Sequence, residues 1–173
     1  MKTIFILTSG GDAPGMNAAV RAVAKVAAAA GVRTVGVLDG YDGLMDGRWK
    51  ELTQPSDSGL AVIPDLDTAG SLGGTLIGSA RSARFRTVEG RREAIARLKD
   101  AAGLIVVGGD GSLTGAHLLS TECELPIIGI PASIDNDIGC TATAIGVDTA
   151  LNTIVESCDR ICDTAISHRR AFV

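Results

Sequence analysis

The stretch TIFILTSGGDAPGMNAAVRAVAKVAAAAG, residues 3–31, holds an apolar run, a loop of glycine, hydroxyl and aspartate residues, and a long alanine-rich segment. Thr3 to Leu7 is predicted to be a buried strand, because a short continuous apolar run bounded by turn residues has no solvent-facing side. Thr8–Gly15 forms the loop. From about Met16 to Ala30 a helix is predicted, with Gly31 as its C-cap. A strand delivered into a helix through a glycine loop is the unit of a parallel sheet, and the rhythm recurs outward along the chain. Strands are predicted at Thr34–Leu38, Leu104–Val107 and Ile127–Ile130. Helices are predicted at Glu89–Lys99 with Ile95 and Leu98 inward, at Leu113–Leu119, and from about Val147 to Asp163. Asp39–Trp49 is rich in glycine and aspartate; from there to Gly70, with Pro55 and Pro64, no periodicity shows and irregular structure is expected. The expected fold class is α/β, a mostly parallel sheet with helices on both faces.

The 173 residues carry 16 Lys+Arg against 20 Asp+Glu, a formal net charge of −4, with 46% hydrophobic residues. That apolar fraction offsets the entropy of ordering the chain and excludes a disordered protein. A chain of this length buries about 70% of its unfolded surface and suits one domain with little more. No basic stripe is present and only five aromatic residues could stack on bases, so nucleic acid is not an expected partner. Apolar runs of a handful of residues fall far short of the ~20 needed to span a bilayer, so no membrane helix is expected. Ile4–Leu7 behind Lys2 is too short for the core of a signal peptide, and a cytoplasmic location is expected. Cys123, Cys140, Cys158 and Cys162 form no CxxC pair and have no histidine at ligand spacing, so reduced, buried thiols are expected rather than zinc or disulfides. Ala171-Phe172-Val173 opens an apolar run with no successor, as expected of a fragment of a longer chain.

Ligands of open parallel sheets bind outside the carboxyl ends of the strands. Three loops there share glycine, hydroxyl and aspartate composition: Thr8–Asp12, Gly108–Ser112 and Pro131–Asp137. Gly10 and Gly11, between strand and helix, either cradle a phosphate on backbone N–H groups or make a tight turn; Gly108, Gly109 and Gly111 repeat the pattern and favour phosphate. Asp39 stands where a dinucleotide fold keeps its ribose-binding acid, but G-x-G-x-x-G is not met, because Asp12 occupies the place of the middle glycine. A P-loop is absent, since no G-K-[ST] occurs. Cationic charge for phosphate is expected from Arg81, Arg84 and Arg86, in a stretch too poor in apolar residues to be core, whereas Arg91 and Arg92 are expected on a solvated face. Asp110 at a strand end is either a magnesium ligand or a turn aspartate. Asp135 and Asp137 flank Asn136; two carboxylates this close repel, which disposes one to take a proton from a hydroxyl nucleophile, with a plain Asx-turn as the alternative. His117 is expected at the surface or in packing. Ser167–Arg170, with His168, is either a solvated helix end or an anion site.

LTSGGDAPGMNAAVRA (7–22), GGTLIGSAR (73–81), VVGGDGSLTGA (106–116), PASIDNDI (131–138) and SHRR (167–170) resemble, in order and spacing, the N-terminal half of the glycolytic 6-phosphofructokinases. The resemblance implies a Rossmann-like phosphofructokinase fold, truncated, with a nucleotide-binding domain over residues 1–145 and the start of a sugar-phosphate-binding domain over 146–173. It implies a kinase that moves the γ-phosphoryl of ATP to the 1-hydroxyl of fructose 6-phosphate with Mg²⁺. Asp135 is then the catalytic base, and Ser133, Ile134, Asp137 and Arg170 contact the sugar phosphate. Gly11, Arg81, Ser82, Gly109, Asp110, Gly111 and Ser112 bind ATP, and Asp110 binds the metal. Arg170 would reach the 6-phosphate held by a neighbouring subunit, which implies a homo-oligomer, usually a tetramer. Pyrophosphate-using members carry GGDD and PKTIDND where this chain has Gly111 and Ala132, so ATP is the expected donor and pyrophosphate the alternative. The family's effector site is only partly matched, by Arg21 with Lys25 in place of a second arginine. The resemblance covers a half lacking the substrate loop and the returning chain, so the fragment alone is expected to be an inactive nucleotide-binding piece.

Overall fold

The computed structural model describes residues 1–172. Elements follow in the order β1 (Thr3–Ser9), α1 (Met16–Ala29), β2 (Arg33–Val37), α2 (Gly40–Asp46), β3 (Trp49–Glu51), β4 (Thr53–Ser56), β5 (Gly59–Val62) and α3 (Pro64–Ala69). After an irregular segment come a 3₁₀ turn (Arg84–Arg86), α4 (Val88–Arg97), β6 (Gly103–Gly108), α5 (Asp110–Glu122), β7 (Ile127–Pro131) and α6 (Val147–His168). The main sheet runs β3-β2-β1-β6-β7, parallel throughout except for β3. The α/β expectation holds, with β1 in the centre.

Because side chains alternate across a strand, adjacent residues of β1 and β6 feed opposite cores. Leu7 and Val106 join Tyr41, Leu44, Met45, Phe85, Ala94 and Leu119 beneath α2, α4 and α5. Ile6 and Val107 join Met16, Val20, Ala24, Leu52, Leu66 and Ile77 on the other face, with α1 and α3. Both faces are therefore covered, which is why β1 and β6 read as continuous apolar runs.

The segment from Trp49 to Gly70, expected to be irregular, is instead ordered. β3 pairs antiparallel with β2, Val37 opposite Trp49, and the Trp49 ring meets Phe5 edge-on at 5.3 Å. β4 and β5 form a hairpin, and Pro64 opens α3 at a helix position where its missing N–H costs nothing. Leu52 and Leu66, both fully buried, fasten this region to the core. The stretch around Arg81 also departs from expectation, since Ile77 and Phe85 are core residues. Helix α5 begins earlier than predicted, at Asp110, and α6 continues to His168. On α6 only Val147 is buried; Leu151, Ile154 and Val155 are exposed. All four cysteines are free thiols, but the expectation of burial fails: Cys123 is half-buried and Cys140, Cys158 and Cys162 are exposed, the last two on the open surface of α6. No helix among the described residues is long and apolar enough to cross a membrane. Of the apolar run at the C-terminus, Val173 lies outside the described residues.

Helix α2 seats directly on the end of β2. A Cβ on Gly43 would lie 1.6 Å from the Leu38 carbonyl oxygen, and that chain crossing is closed by Leu38 N–H donating to the Arg48 carbonyl. Gly43→Ala is expected to destabilise the protein by about 3 kcal/mol in urea unfolding, the cost of an overpacked contact that backbone cannot relieve. An unchanged midpoint would show that α2 does not sit this close.

Candidate active site

The registers of three neighbouring strands, β1, β6 and β7, set their carboxyl ends level. Ser9 lies opposite Gly108, and Gly108 opposite Pro131, so the loops that follow β1, β6 and β7 emerge side by side. Between them lies a cleft of about 720 Å³, within the usual range for small-molecule sites. Gly11, Arg81, Ser82, Gly109, Asp110, Gly111, Ser112, Ser133, Ile134, Asp135 and Asp137 all line it, which brings together every residue that the resemblance assigns to ATP, metal or sugar except Arg170.

The first loop turns at Gly10, whose φ of +92° is strained for any other residue; a Cβ there would also press on Ser112 Oγ at 3.1 Å. Gly11 and Gly111 face open space: a Cβ added to either would meet nothing within 4 Å, so both leave room over the backbone. Gly109 is the N-cap of α5 and Asp110 its first residue, not a turn aspartate. The first N–H groups of that helix have no intrahelical acceptor and, with the helix dipole, favour an anion.

Residues 70–83 carry Arg81 and Ser82 yet contain no helix or strand. Hydrogen bonds to β1 and its loop hold them. Thr8 Oγ1 donates to the Gly78 carbonyl at 2.6 Å, Ser79 Oγ donates to the Gly10 carbonyl at 3.0 Å, and Gly10 N–H donates to the Ala80 carbonyl at 3.1 Å. The Ser82 hydroxyl donates to Asp42 and accepts from Phe85 N–H, starting the 3₁₀ turn.

The arginines divide by partner. Arg84 pairs with Asp46 and Glu93 and does not line the cleft. Arg81 and Arg86 line the cleft and have no ion-pair partner among the described residues. Arg91 is not on a solvated face as expected. It is 7% exposed, its Nε and Nη2 donate to Glu122 at 2.8 Å, and Nη1 donates to the Arg86 carbonyl at 2.9 Å. The cation at this depth is tolerable because its donors are satisfied, and it braces α4 against the end of α5. Arg92 is exposed as expected. Away from the cleft, Arg21 and Lys25 both pair with Asp67, whose carboxyl they hold below the ordinary range.

Composition drew attention to the aromatic residues only as too few for stacking on nucleic acid. Tyr41 and Phe85 stack on each other at 3.7 Å and 10° in the cleft wall, and Tyr41 donates to the Ser112 carbonyl at 2.8 Å. Burial pushes the Tyr41 hydroxyl well above its ordinary pKa, so it stays a donor. Thr114, Gly115 and Leu118 of α5 also border the cleft and were not singled out from the sequence; their signal was the helical spacing behind Asp110.

The third loop separates its polar triplet by role. Asn136, at φ +52°, accepts from Ala144 N–H and donates to the Ala142 carbonyl, folding the loop onto residues 142–144. Ser133 Oγ accepts from Asp135 N–H at 3.1 Å and donates to Asp137 at 3.4 Å. The Asx-type contacts therefore belong to Asn136 and Ser133, and the Asp135 carboxylate is left exposed in the cleft. Arg170 lies beyond the far end of α6, a helix of 22 residues and so about 33 Å long, and is exposed there. His168 ends the same helix, and His117 is at the surface.

Glycine loops, a helix N-terminus, unpaired arginines and free carboxylates at the carboxyl edge of a parallel sheet define an α/β protein suited to a phosphorylated ligand. The family described as Phosphofructokinase matches residues 3–173, and the chain belongs to it. It is 49% identical over 175 residues to the ATP-dependent 6-phosphofructokinase of Thermotoga neapolitana, covering 100% of this chain and 52% of that protein. Against the ATP-dependent 6-phosphofructokinase of Bacillus subtilis the figures are 47% over 178 residues, 100% and 52%. Pichia pastoris phosphofructokinase in the T-state superposes with a TM-score of 0.83 at 41% identity, over 92% of this chain and 18% of that one. The chain thus spans about half the length of the curated relatives it matches.

The Arg91 hydrogen bond holds the Glu122 carboxyl below its ordinary value of 4.5. A carboxyl depressed by folding contributes stability above its ordinary value, lost as pH falls through the folded one. Glu122→Gln is expected to be less stable than the parent near neutral pH, with the gap narrowing below pH 4.5 as the parent's carboxylate takes up its proton. Urea unfolding at a series of pH values reads this directly; a gap that persists undiminished to about pH 3 would contradict it.

Proposed function

We propose that the cleft binds ATP and presents its γ-phosphoryl to the 1-hydroxyl of fructose 6-phosphate, giving fructose 1,6-bisphosphate. The carrying observation is the sorting of charge: Arg81 and Arg86 are the cleft's arginines without carboxylate partners, and Asp110 and Asp135 make no side-chain hydrogen bond or ion pair among the described residues. Phosphoryl transfer asks for little covalent chemistry from a protein and much positioning and charge stabilisation. In this reading Gly11, Gly109, Gly111 and Ser112 form the floor under the phosphates, with the start of α5 supplying N–H donors. Arg81 offsets charge on the transferring group in bidentate fashion, and Ser82 fixes the turn that follows it. Asp135 takes the proton of the attacking hydroxyl, while Ser133, Ile134 and Asp137 border the sugar.

The residues also fit Mg²⁺. That ion keeps several waters and takes one or two carboxylates plus phosphate oxygens, and Asp110, exposed at the mouth of α5, offers one such carboxylate without needing a cage of side chains. When bound, the ion supplies neutralising charge to the phosphates. ATP rather than pyrophosphate is the donor in this reading, as in the names of the relatives. Support comes from Gly111, which opens onto free space, and from Ala132, which is buried and offers no cation. Arg170, remote from this cleft, serves the 6-phosphate of a neighbouring subunit in a homotetramer. The boundary between nucleotide and sugar domains falls at residues 145–146, where Gly146 opens α6 with φ +104°, and the enzyme works in the cytoplasm.

The test uses the enzyme as its gene encodes it. Asp135→Ser is expected to lower kcat by about 10²–10⁴, the usual worth of a general base, with the KM for ATP nearly unchanged, and the parent is expected to turn over faster with ATP than with pyrophosphate. A small fall in kcat would remove Asp135 as the base. Faster turnover with pyrophosphate would overturn the donor.

A further inference from the structure

Arg81 sits at the end of an irregular segment that is held near Arg81 by Thr8 and Gly10 and, further back, by one side chain of α1. Asn17, the second residue of α1, is 3% exposed and spends its whole amide on this segment. Its Nδ2 donates to the carbonyls of Leu72 at 3.3 Å and Gly73 at 3.1 Å, and its Oδ1 accepts from Leu76 N–H at 2.7 Å. These bonds link positions 55 to 59 residues apart in sequence. They cross to a stretch whose glycines, Gly73 and Gly74, have open space where a side chain would stand, so no side chain of their own packs them in place.

We infer that Asn17 is a positioning residue for the nucleotide site, setting the register of residues 72–76 so that the chain beyond delivers Arg81 to the cleft. The chain between is short; besides Asn17, the Thr75 hydroxyl meets Thr8 Oγ1 at 2.9 Å and Asp39 N–H donates to the Ile77 carbonyl. Leu76 is followed by Ile77, buried in the core, and then by Gly78 and Ala80, whose carbonyls meet Thr8 and Gly10. A slip at Leu76 would carry those carbonyls off their donors and move Arg81 with them. Only an amide meets the need, because the three contacts require donors and an acceptor on one short side chain. Leu76 is half-buried, and its N–H costs free energy when left without a partner, so the register is held while Asn17 is present. This inference rests on the proposed role of Arg81.

The experiment is a double-mutant cycle in the intact enzyme, with kcat/KM for ATP as the readout. Asn17→Ala is expected to lower kcat/KM for ATP about tenfold in the parent, leave the KM for fructose 6-phosphate within about twofold, and cost less than about twofold when Arg81 is already alanine. If Asn17→Ala does not fold, Asn17→Ser, whose hydroxyl is too short to reach all three partners, carries the same cycle. Equal losses with and without Arg81 would overturn the inference, since a merely structural asparagine acts independently of that guanidinium. An Arg81→Ala enzyme with unchanged kcat/KM for ATP would instead contradict the proposed function, and the inference with it.

Discussion

The register of β6 between β1 and β7 is the constraint on which the cleft depends. Ser9, Gly108 and Pro131 stand in one row across the sheet, and the row is tight. A side chain at Gly108 would come within 2.5 Å of the Ser9 carbonyl oxygen and 2.8 Å of Ser112 Cβ. With glycine there, the start of α5 packs down against the end of β1, and the loops at Gly10, Gly109 and Ala132 face one space. A slip of one residue would turn every apolar side chain of β6 to the wrong face, so burial on both sides of the sheet enforces the same register that builds the site.

Around that row, order comes from different forces in different places. The strands are held by apolar burial, but residues 70–83 have no ladder to join. They are held by the burial of Ile77, by the Gly10 N–H bond to the Ala80 carbonyl, and by single polar side chains, Thr8, Asn17 and Ser79, each reaching across to a backbone group. The 3₁₀ turn beyond is fixed by charge, with Arg84 tied to Asp46 and Glu93 and Arg91 tied to Glu122 and the Arg86 carbonyl. Structural arginines are thereby separated from free ones. Arg81 and Arg86 keep their charge for whatever enters the cleft.

What local pattern could reveal was legible in the chain itself. β1, α1 and β6 announce themselves because apolar period and glycine punctuation are properties of neighbouring residues, and the loops at their ends carry their glycines and aspartates in sequence. The region from Trp49 to Gly70 was not legible, because a strand of three residues such as β3 exists only through its pairing with β2, and the short α3 through the burial of Leu66. Arg91 was misplaced for a similar reason. Its burial depends on Glu122, a carboxylate 31 residues away that no local pattern connects to it. The exposed cysteines on α6 show the converse, since a helix with apolar residues around it need not bury them within these residues.

The central claim is that the loops after β1 and β6, with the segment around Arg81, form a single ligand site. Amide hydrogen exchange with and without Mg·ATP tests it most directly, because each loop reports separately. Slowed exchange is predicted together at residues 10–12, 81–86 and 109–113, with the β4–β5 hairpin unaffected. Slowing confined to one of these loops, or appearing on the hairpin in their place, would contradict the account.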